Sequence, residues 1–229
     1  MLQPFGEDIW LAEGPTTAMV GFLYPTRSVI IKLSDGTLFV WSPVRLTDDL
    51  RAELDALGAV RHLIAPNALH HLFLGDWRQA YPAARLYAPP GLRQKRKDLR
   101  FDDDLGDTPP AEWSGEIDQV VVRGSLITTE IVFFHRKSRT AIFTDLLQHF
   151  DRAWFTGWRA VVARLDLMTA KAPEVPRKFR YSFVNRRAAR AALRRILAWP
   201  SEQIVMAHAS PVATDGQAGI ARAFRWLSV

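Results

Sequence analysis

What most constrains this chain is the order in which strand-like and helix-like runs follow one another. Runs rich in β-branched and aromatic residues fill the chain up to Trp41: Asp8 to Ala12, Ala18 to Tyr24, Ser28 to Leu33 and Thr37 to Trp41. Gly14-Pro15, Pro25 and Asp35-Gly36 punctuate them. Asp35-Gly36 between two such runs predicts a tight hairpin, because both central residues of that turn need positive φ. An antiparallel meander follows. The pattern then alternates. Thr47 can cap a helix over 48–57 that Gly58 ends, Val60 to Ala65 reads as a strand, and a helix runs from near His71 to Tyr81. Arg85 to Ala88 is a strand, and Pro89-Pro90 opens a short basic helix reaching Asp98.

The same order then repeats. Residues 101–115 are acidic and Pro-rich and read as a loop. Strands return at Ile117 to Val122, Glu130 to His135 and Thr140 to Thr144. Trp154, Trp158 and Val162 share one face of a helix predicted over 146–165, whereas Pro173 and Pro176 predict a loop over 170–182. Asn185 can cap a helix to Ala198, Gln203 to Ala207 reads as a strand, and residues 215–227 as a last helix. A meander and an α/β segment, twice over, predict an α/β (α+β) fold. Two mixed sheets pack face to face with helices on both outer faces, an αββα sandwich, as one domain over residues 1–229.

With 48% hydrophobic and 24% charged residues the chain can bury a core. It has no cysteine. Disulfides, thiolate metal sites and cysteine nucleophiles are excluded, and any metal must be held by His, Asp or Glu. No apolar run is long enough to span a bilayer, and no basic segment leads into an apolar stretch at the N-terminus. The expected location is the cytoplasm, with no membrane partner.

His70-His71, Asp145 and His208 each follow a predicted strand. Ends of strands are where α/β folds place ligands and chemistry. Three His and one Asp there make a plausible set of N and O donors for zinc or iron. The same residues could equally be hydrogen-bonded surface groups. Asp76 reads as a solvated helix residue. His62 starts a strand, His135 ends one before a turn, and His149 lies four residues after Asp145, where it could approach the same place.

The segment from Leu63 through Pro66, Asn67, Ala68, Leu69, His70 and His71 to Trp77, followed by Tyr81 to Gly91, resembles the first motif of the metallo-β-lactamase superfamily. In that family a strand runs into Thr-His-x-His-x-Asp-His, then a helix, then a strand ending in Ala-Pro. Thr140 to Leu147 is similar to the strand that delivers a metal-bridging Asp, and Ile204 to Pro211 to the strand that delivers the last His. Pro25-Thr26-Arg27, Asp35-Gly36 and Ser42-Pro43 look like a domain-of-unknown-function branch of the superfamily. The resemblance spans nearly the whole chain, through degenerate motifs.

Aligning His71 with the last His of the motif puts His70 on its Asp, Ala68 on the second His and Pro66 on the first. The middle His should fall near Gly124 to Ile127, where there is none. The resemblance therefore implies that the first metal site is lost. His70, His71, Asp145 and His208 are left to hold one zinc, iron or manganese ion, or none. What it implies for activity is hydrolysis of a small-molecule or anionic substrate at a single metal. The other reading is a non-catalytic scaffold or binding member.

The net charge is +6 and the sequence pI about 10.0. No acid occurs between Val175 and Ser201. On the helix from Asn185, Arg186, Arg187, Arg190 and Arg194 share one face and would form either a solvated surface or an anion-binding patch for a substrate or nucleic acid.

Overall fold

The computed structural model describes residues 1–227. A seven-stranded sheet runs in simple spatial order: β1 (Leu2–Gly6), β2 (Ile9–Met19), β3 (Phe22–Lys32), β4 (Thr37–Trp41), β5 (Ala59–Ile64), β6 (Arg85–Ala88) and β7 (Asp103–Asp104). It is antiparallel through β4 and parallel beyond. A four-stranded sheet holds β8 (Ile117–Val122), β9 (Glu130–His135), β10 (Thr140–Phe143) and β11 (Gln203–Met206). There only the β10–β11 pair is parallel.

Side-chain alternation along each strand separates three apolar layers. Val29, Ile31, Phe39, Trp41 and Ile64 of the large sheet meet Ile117, Val121, Ile131, Phe133, Ile142 and Val205 of the small one. Their neighbours Ile30, Leu38, Val40 and Leu63 face outward onto α1 (Asp48–Leu57) and α2 (Leu74–Ala80). Val120, Val132, Phe134, Ala141 and Phe143 face outward onto α6 (Arg186–Leu197) and α7 (Gly216–Ala223). This is the expected αββα sandwich of two mixed sheets. Phe39 stands at its centre, edge-on to Trp113 at 5.0 Å and to Phe133 at 5.7 Å.

Local signals explain the boundaries. Asp35 accepts from the backbone N–H and the hydroxyl of Thr37, which closes the β3–β4 hairpin over Gly36 at φ +82°. Thr47 accepts from the N–H of Leu50, and Asn185 from that of Ala188. Elsewhere the structure departs from expectation. Ala18 to Tyr24 is no separate strand but the tip of a long hairpin, turned by Val20 and Gly21 at positive φ. The register shift between Gly14 and Thr17 lets β2 carry Pro15.

Residues 146–156 are not helical, and α4 covers only Gly157–Leu165. Before it the backbone of Gln148 pairs with that of Glu174, at 3.0 and 3.1 Å. A short helix α5 (Arg177–Ser182) forms where a loop is expected, since Pro176 lies just ahead of its first turn, where a helix lacks N–H partners anyway. Another short helix, α3 (Leu92–Lys95), follows β6. The last helix stops at Ala223, before a turn over Arg225–Leu227. No helix is long and apolar enough to cross a membrane among the described residues.

Phe39→Ala is expected to destabilise the protein by about 3–5 kcal/mol, the usual cost of emptying a buried phenyl site. Urea unfolding should show a lower midpoint at unchanged slope.

Candidate metal centre

The parallel pairs β4–β5 and β10–β11 end on the same edge of the sandwich, and the residues that follow them converge there. Ser42 follows β4, His70 follows β5, Asp145 follows β10 and His208 follows β11. His70 Nε2 lies 3.2 Å from His208 Nε2 and 3.5 Å from Asp145 Oδ2, and His208 Nε2 is 3.3 Å from Asp145 Oδ1. Asp145 and His208 are buried, and His70 nearly so.

Each member is held by a group on another element. The side-chain N–H of Asn67 donates to Asp145 at 2.7 Å, while its carbonyl accepts from the N–H groups of Leu69 and His70. Glu130, wholly buried at the start of β9, accepts from the N–H groups of Thr144, Asp145 and Leu146 at 2.8, 2.8 and 3.0 Å. Arg27, paired with Glu13 at 2.7 Å, donates to the carbonyls of Met206 and Ala209 on either side of His208. Ser42, at φ +50°, turns its hydroxyl to His70 Nδ1 at 2.8 Å.

The proton positions narrow what the cluster can do. The Pro25 carbonyl, 2.6 Å from His208 Nδ1, can only accept. A neutral His208 ring therefore carries its proton on Nδ1 and points a lone pair from Nε2 into the cluster. Ser42 can accept from His70 or donate to it. If it accepts, two lone pairs face each other, an arrangement that a cation between them makes favourable. If it donates, a chain of hydrogen bonds runs from Ser42 through both rings to Pro25 and needs no ion.

Burial lowers the pKa of His70 and so favours its uncharged ring. Burial alone would raise Asp145, but the two imidazoles outweigh it and hold the acid well below the carboxylate range. Burial and then the Asp145 charge push Glu130 up to about 8 against its three backbone donors.

Of the sequence-predicted ligands, His70, Asp145 and His208 come together. His71 does not. The chain turns between the two histidines, and the His71 ring faces Arg96, whose Nη1 lies 3.1 Å from its Nδ1. Burial and then the cations Lys95 and Arg96 lower its pKa to about 4. His62 pairs with Tyr87 and His135 with Ser138, away from the cluster. Arg186, Arg187 and Arg194 are exposed on α6, and Arg190 donates to the carbonyl of Leu227. None of the four lines the cleft.

Asn67 and Arg27 stand in segments that carry the resemblance, but neither they nor Glu130 read from the sequence as partners of the cluster. A Pro-Asn pair between a strand and two histidines is a turn signal that could have pointed to Asn67. An acid or arginine inside a β-branched run gives no sign of what it faces.

The triad lies in a cleft of about 780 Å³ between the β2–β3 tip, α4 and α5, with Lys95 and Lys178 in its wall. Tyr24 stands edge-on to His208 at 5.2 Å, and its hydroxyl lies 3.1 Å from Lys178 Nζ. Pro66 and Ala68, on the turn ahead of His70, carry no donor side chain. The Pro66 carbonyl instead accepts from the N–H of Ile131 at 2.9 Å.

Residues 7–155, more than half of the chain, match the family model described as a domain of unknown function, DUF4336. That segment includes His70 and Asp145 and stops short of His208. No curated protein matches by sequence. Among solved structures, the chain is similar to DIM-1 metallo-beta-lactamase exposed to ceftazidime, with TM-score 0.66 and 14% identity over 100% of this chain and 97% of that one. It is also similar to a metallo-beta-lactamase from Pontibacter korlensis, with TM-score 0.65 and 10% identity over 99% and 98%. A metal-soaked flavodiiron core from Synechocystis matches with TM-score 0.65 and 14% identity, over 100% of this chain and 60% of that one. The fold is thus the metallo-β-lactamase fold, as the sequence motifs implied.

Two stability predictions follow from the buried groups. Glu130→Ala leaves three buried N–H groups unpaired and should cost about 3–5 kcal/mol in urea unfolding, with Glu130→Gln costing less. In metal-free protein, His71 and His135, each held near 4 by burial, are uncharged when folded and take up protons on unfolding below about 6.5. Their contribution is complete above 6.5 and is lost as pH falls through 4. Glu130 acts in the opposite sense, between 4.5 and about 8. The thermal midpoint should therefore fall from pH 6.5 to 4, and less steeply in a His135→Gln variant.

Proposed function

The chain belongs to the DUF4336 family, and on that premise we propose that it is a hydrolase working with one metal ion held by His70, Asp145 and His208. The spacing of the donor atoms carries the reading. Two nitrogens each about 2.0–2.1 Å from a tetrahedral ion stand about 3.3 Å apart. The two ring nitrogens here are 3.2 Å apart, each lies 3.3 or 3.5 Å from a different oxygen of Asp145, and one donor atom from each of the three residues lies within 4.8 Å of the others. Two neutral imidazoles and a carboxylate suit zinc, iron or manganese. With His71 turned away the protein supplies three ligands, which is the open arrangement of catalytic rather than structural sites.

A divalent ion in this place supplies Lewis acidity, making water a nucleophile near neutral pH and polarising a carbonyl or phosphoryl oxygen. The chain's own residues do the rest. The Pro25 carbonyl fixes the His208 tautomer, and Ser42 does the same for His70 by accepting its Nδ1 proton. Asn67 and the Glu130-bound loop keep the Asp145 carboxylate aimed. Such outer partners are worth about 10- to 100-fold in affinity. The second reading, a non-catalytic member, is favoured by one observation: the Ser42–His70–His208–Pro25 chain also closes without an ion.

Protein purified without chelator is expected to carry about one equivalent of metal by elemental analysis. His208→Ala and Asp145→Ala should lose it, His71→Ala should retain it, and Asn67→Ala should bind it about 10- to 100-fold more weakly. Substoichiometric metal unchanged by His208→Ala would overturn the reading in favour of the second.

A further inference from the structure

The walls of the cleft indicate what kind of molecule it takes. Among the described residues, half of the exposed large apolar side chains line the cleft. Val20, Leu72, Ile127, Val162, Leu165 and Tyr181 line it directly and are all more than 40% exposed. The rim is a built structure. The indole of Trp154 donates to the Leu23 carbonyl at 2.9 Å, Arg159 to the Gly21 carbonyl at 2.6 Å, and Phe22 packs edge-on against Trp158 at 5.6 Å. These contacts tie the hairpin tip to α4 and hold the apolar faces open toward the triad. A concave apolar surface of this extent marks a binding site rather than ordinary surface.

The charges in the wall are unbalanced. Its carboxylates are Asp145, which belongs to the triad, and Asp166, which is taken by the backbone N–H of Lys178 at 2.7 Å and its ammonium at 3.4 Å. Lys95 has no carboxylate partner among the described residues. Its Nζ donates to the carbonyl of Ala68 at 2.8 Å, on the turn that carries His70. Arg177 likewise donates only to a carbonyl, that of Leu165.

We propose that the substrate is an ester with a long apolar acyl chain. The chain lies along the β2–β3 tip and α4, the carbonyl carbon sits at the triad, and Lys95 faces the carboxylate that hydrolysis releases. The step adds the oxygen and one hydrogen of water to the acyl carbon, breaks the bond from that carbon to the ester oxygen, and returns the other hydrogen to the leaving alcohol. This rests on the hydrolase reading for the reaction, but not for the binding of the chain.

The test separates the two. Straight-chain carboxylates from acetate to dodecanoate are titrated by calorimetry into metal-free protein, below their micelle concentrations. Affinity should rise about tenfold for every two methylenes, the increment for burying them. Val162→Glu should lower dodecanoate affinity at least tenfold and leave metal content unchanged. Lys95→Gln should weaken dodecanoate but not dodecanol. In parallel, metal-loaded protein is assayed on 4-methylumbelliferyl esters of the same acids. Here kcat/KM should climb with chain length and vanish in Asp145→Asn.

Affinity that is flat with chain length, or unmoved by Val162→Glu, overturns the proposal even if short esters are cleaved. Chain-length-dependent binding without turnover overturns the ester as substrate and leaves the apolar chain as the ligand, while the hydrolase reading stands or falls on metal content in the His208→Ala comparison. A stable dimer that buries the rim, broken by Val162→Glu, with no carboxylate binding, overturns it in favour of an interface between copies.

Discussion

Glu130 has no contact with the cleft, yet the cluster depends on it. Its carboxylate gathers three consecutive backbone N–H groups just where β10 ends. Those groups would otherwise point into a dry interior, where each unpaired donor costs about 1–3 kcal/mol. By satisfying them, Glu130 fixes the peptide planes around Asp145 and hence the direction of its side chain. Burial and the neighbouring Asp145 disfavour a charge on Glu130, which shows in the upward push on its pKa. Asn67 lies on the other side of Asp145 and binds the turn carrying His70 with its second polar atom. One acid, one amide and the backbone between them thus register the ends of two sheets against each other.

The sheets and their helices were legible because they follow from short-range rules. Asp35-Gly36 can close only one kind of turn economically, and Thr47 and Asn185 cap helices as their side chains allow. The irregular parts were not legible, because tertiary pairing decides them. Trp154, Trp158 and Val162 have helical spacing, but the backbone before Gly157 is captured by Glu174 and by the carbonyl of Met168. Pro176 suggests a loop, yet it precedes a helix. At the cluster, strand ends and motif resemblance pointed to His70, Asp145 and His208. They could not decide between adjacent histidines, because that depends on a single turn and on the position of Arg96. The residues that orient the cluster were invisible for a plainer reason: Arg27 meets its partners across 179 and 182 positions of sequence.

Residues without polar side chains also shape the surroundings of the cluster. Ile127 is part of an apolar wall, and the Pro66 carbonyl bonds across to β9, joining the two sheets beside the cluster. An apolar wall and a bond between the two sheets thus meet beside the cluster, and both shape the space next to it.

The clamp of Arg27 on the loop around His208 bears on how the molecule assembles. A guanidinium near the start of the chain holds carbonyls near its end, and the loop between them carries every other member of the cluster. Closing so long a loop is slow and comes late in folding. A fragment that lacks β11 and the loop after it cannot present the three donors together. Occupancy of the cluster would therefore report on the docking of β11 against β10, and an ion that binds only the docked form would draw the folding equilibrium toward it.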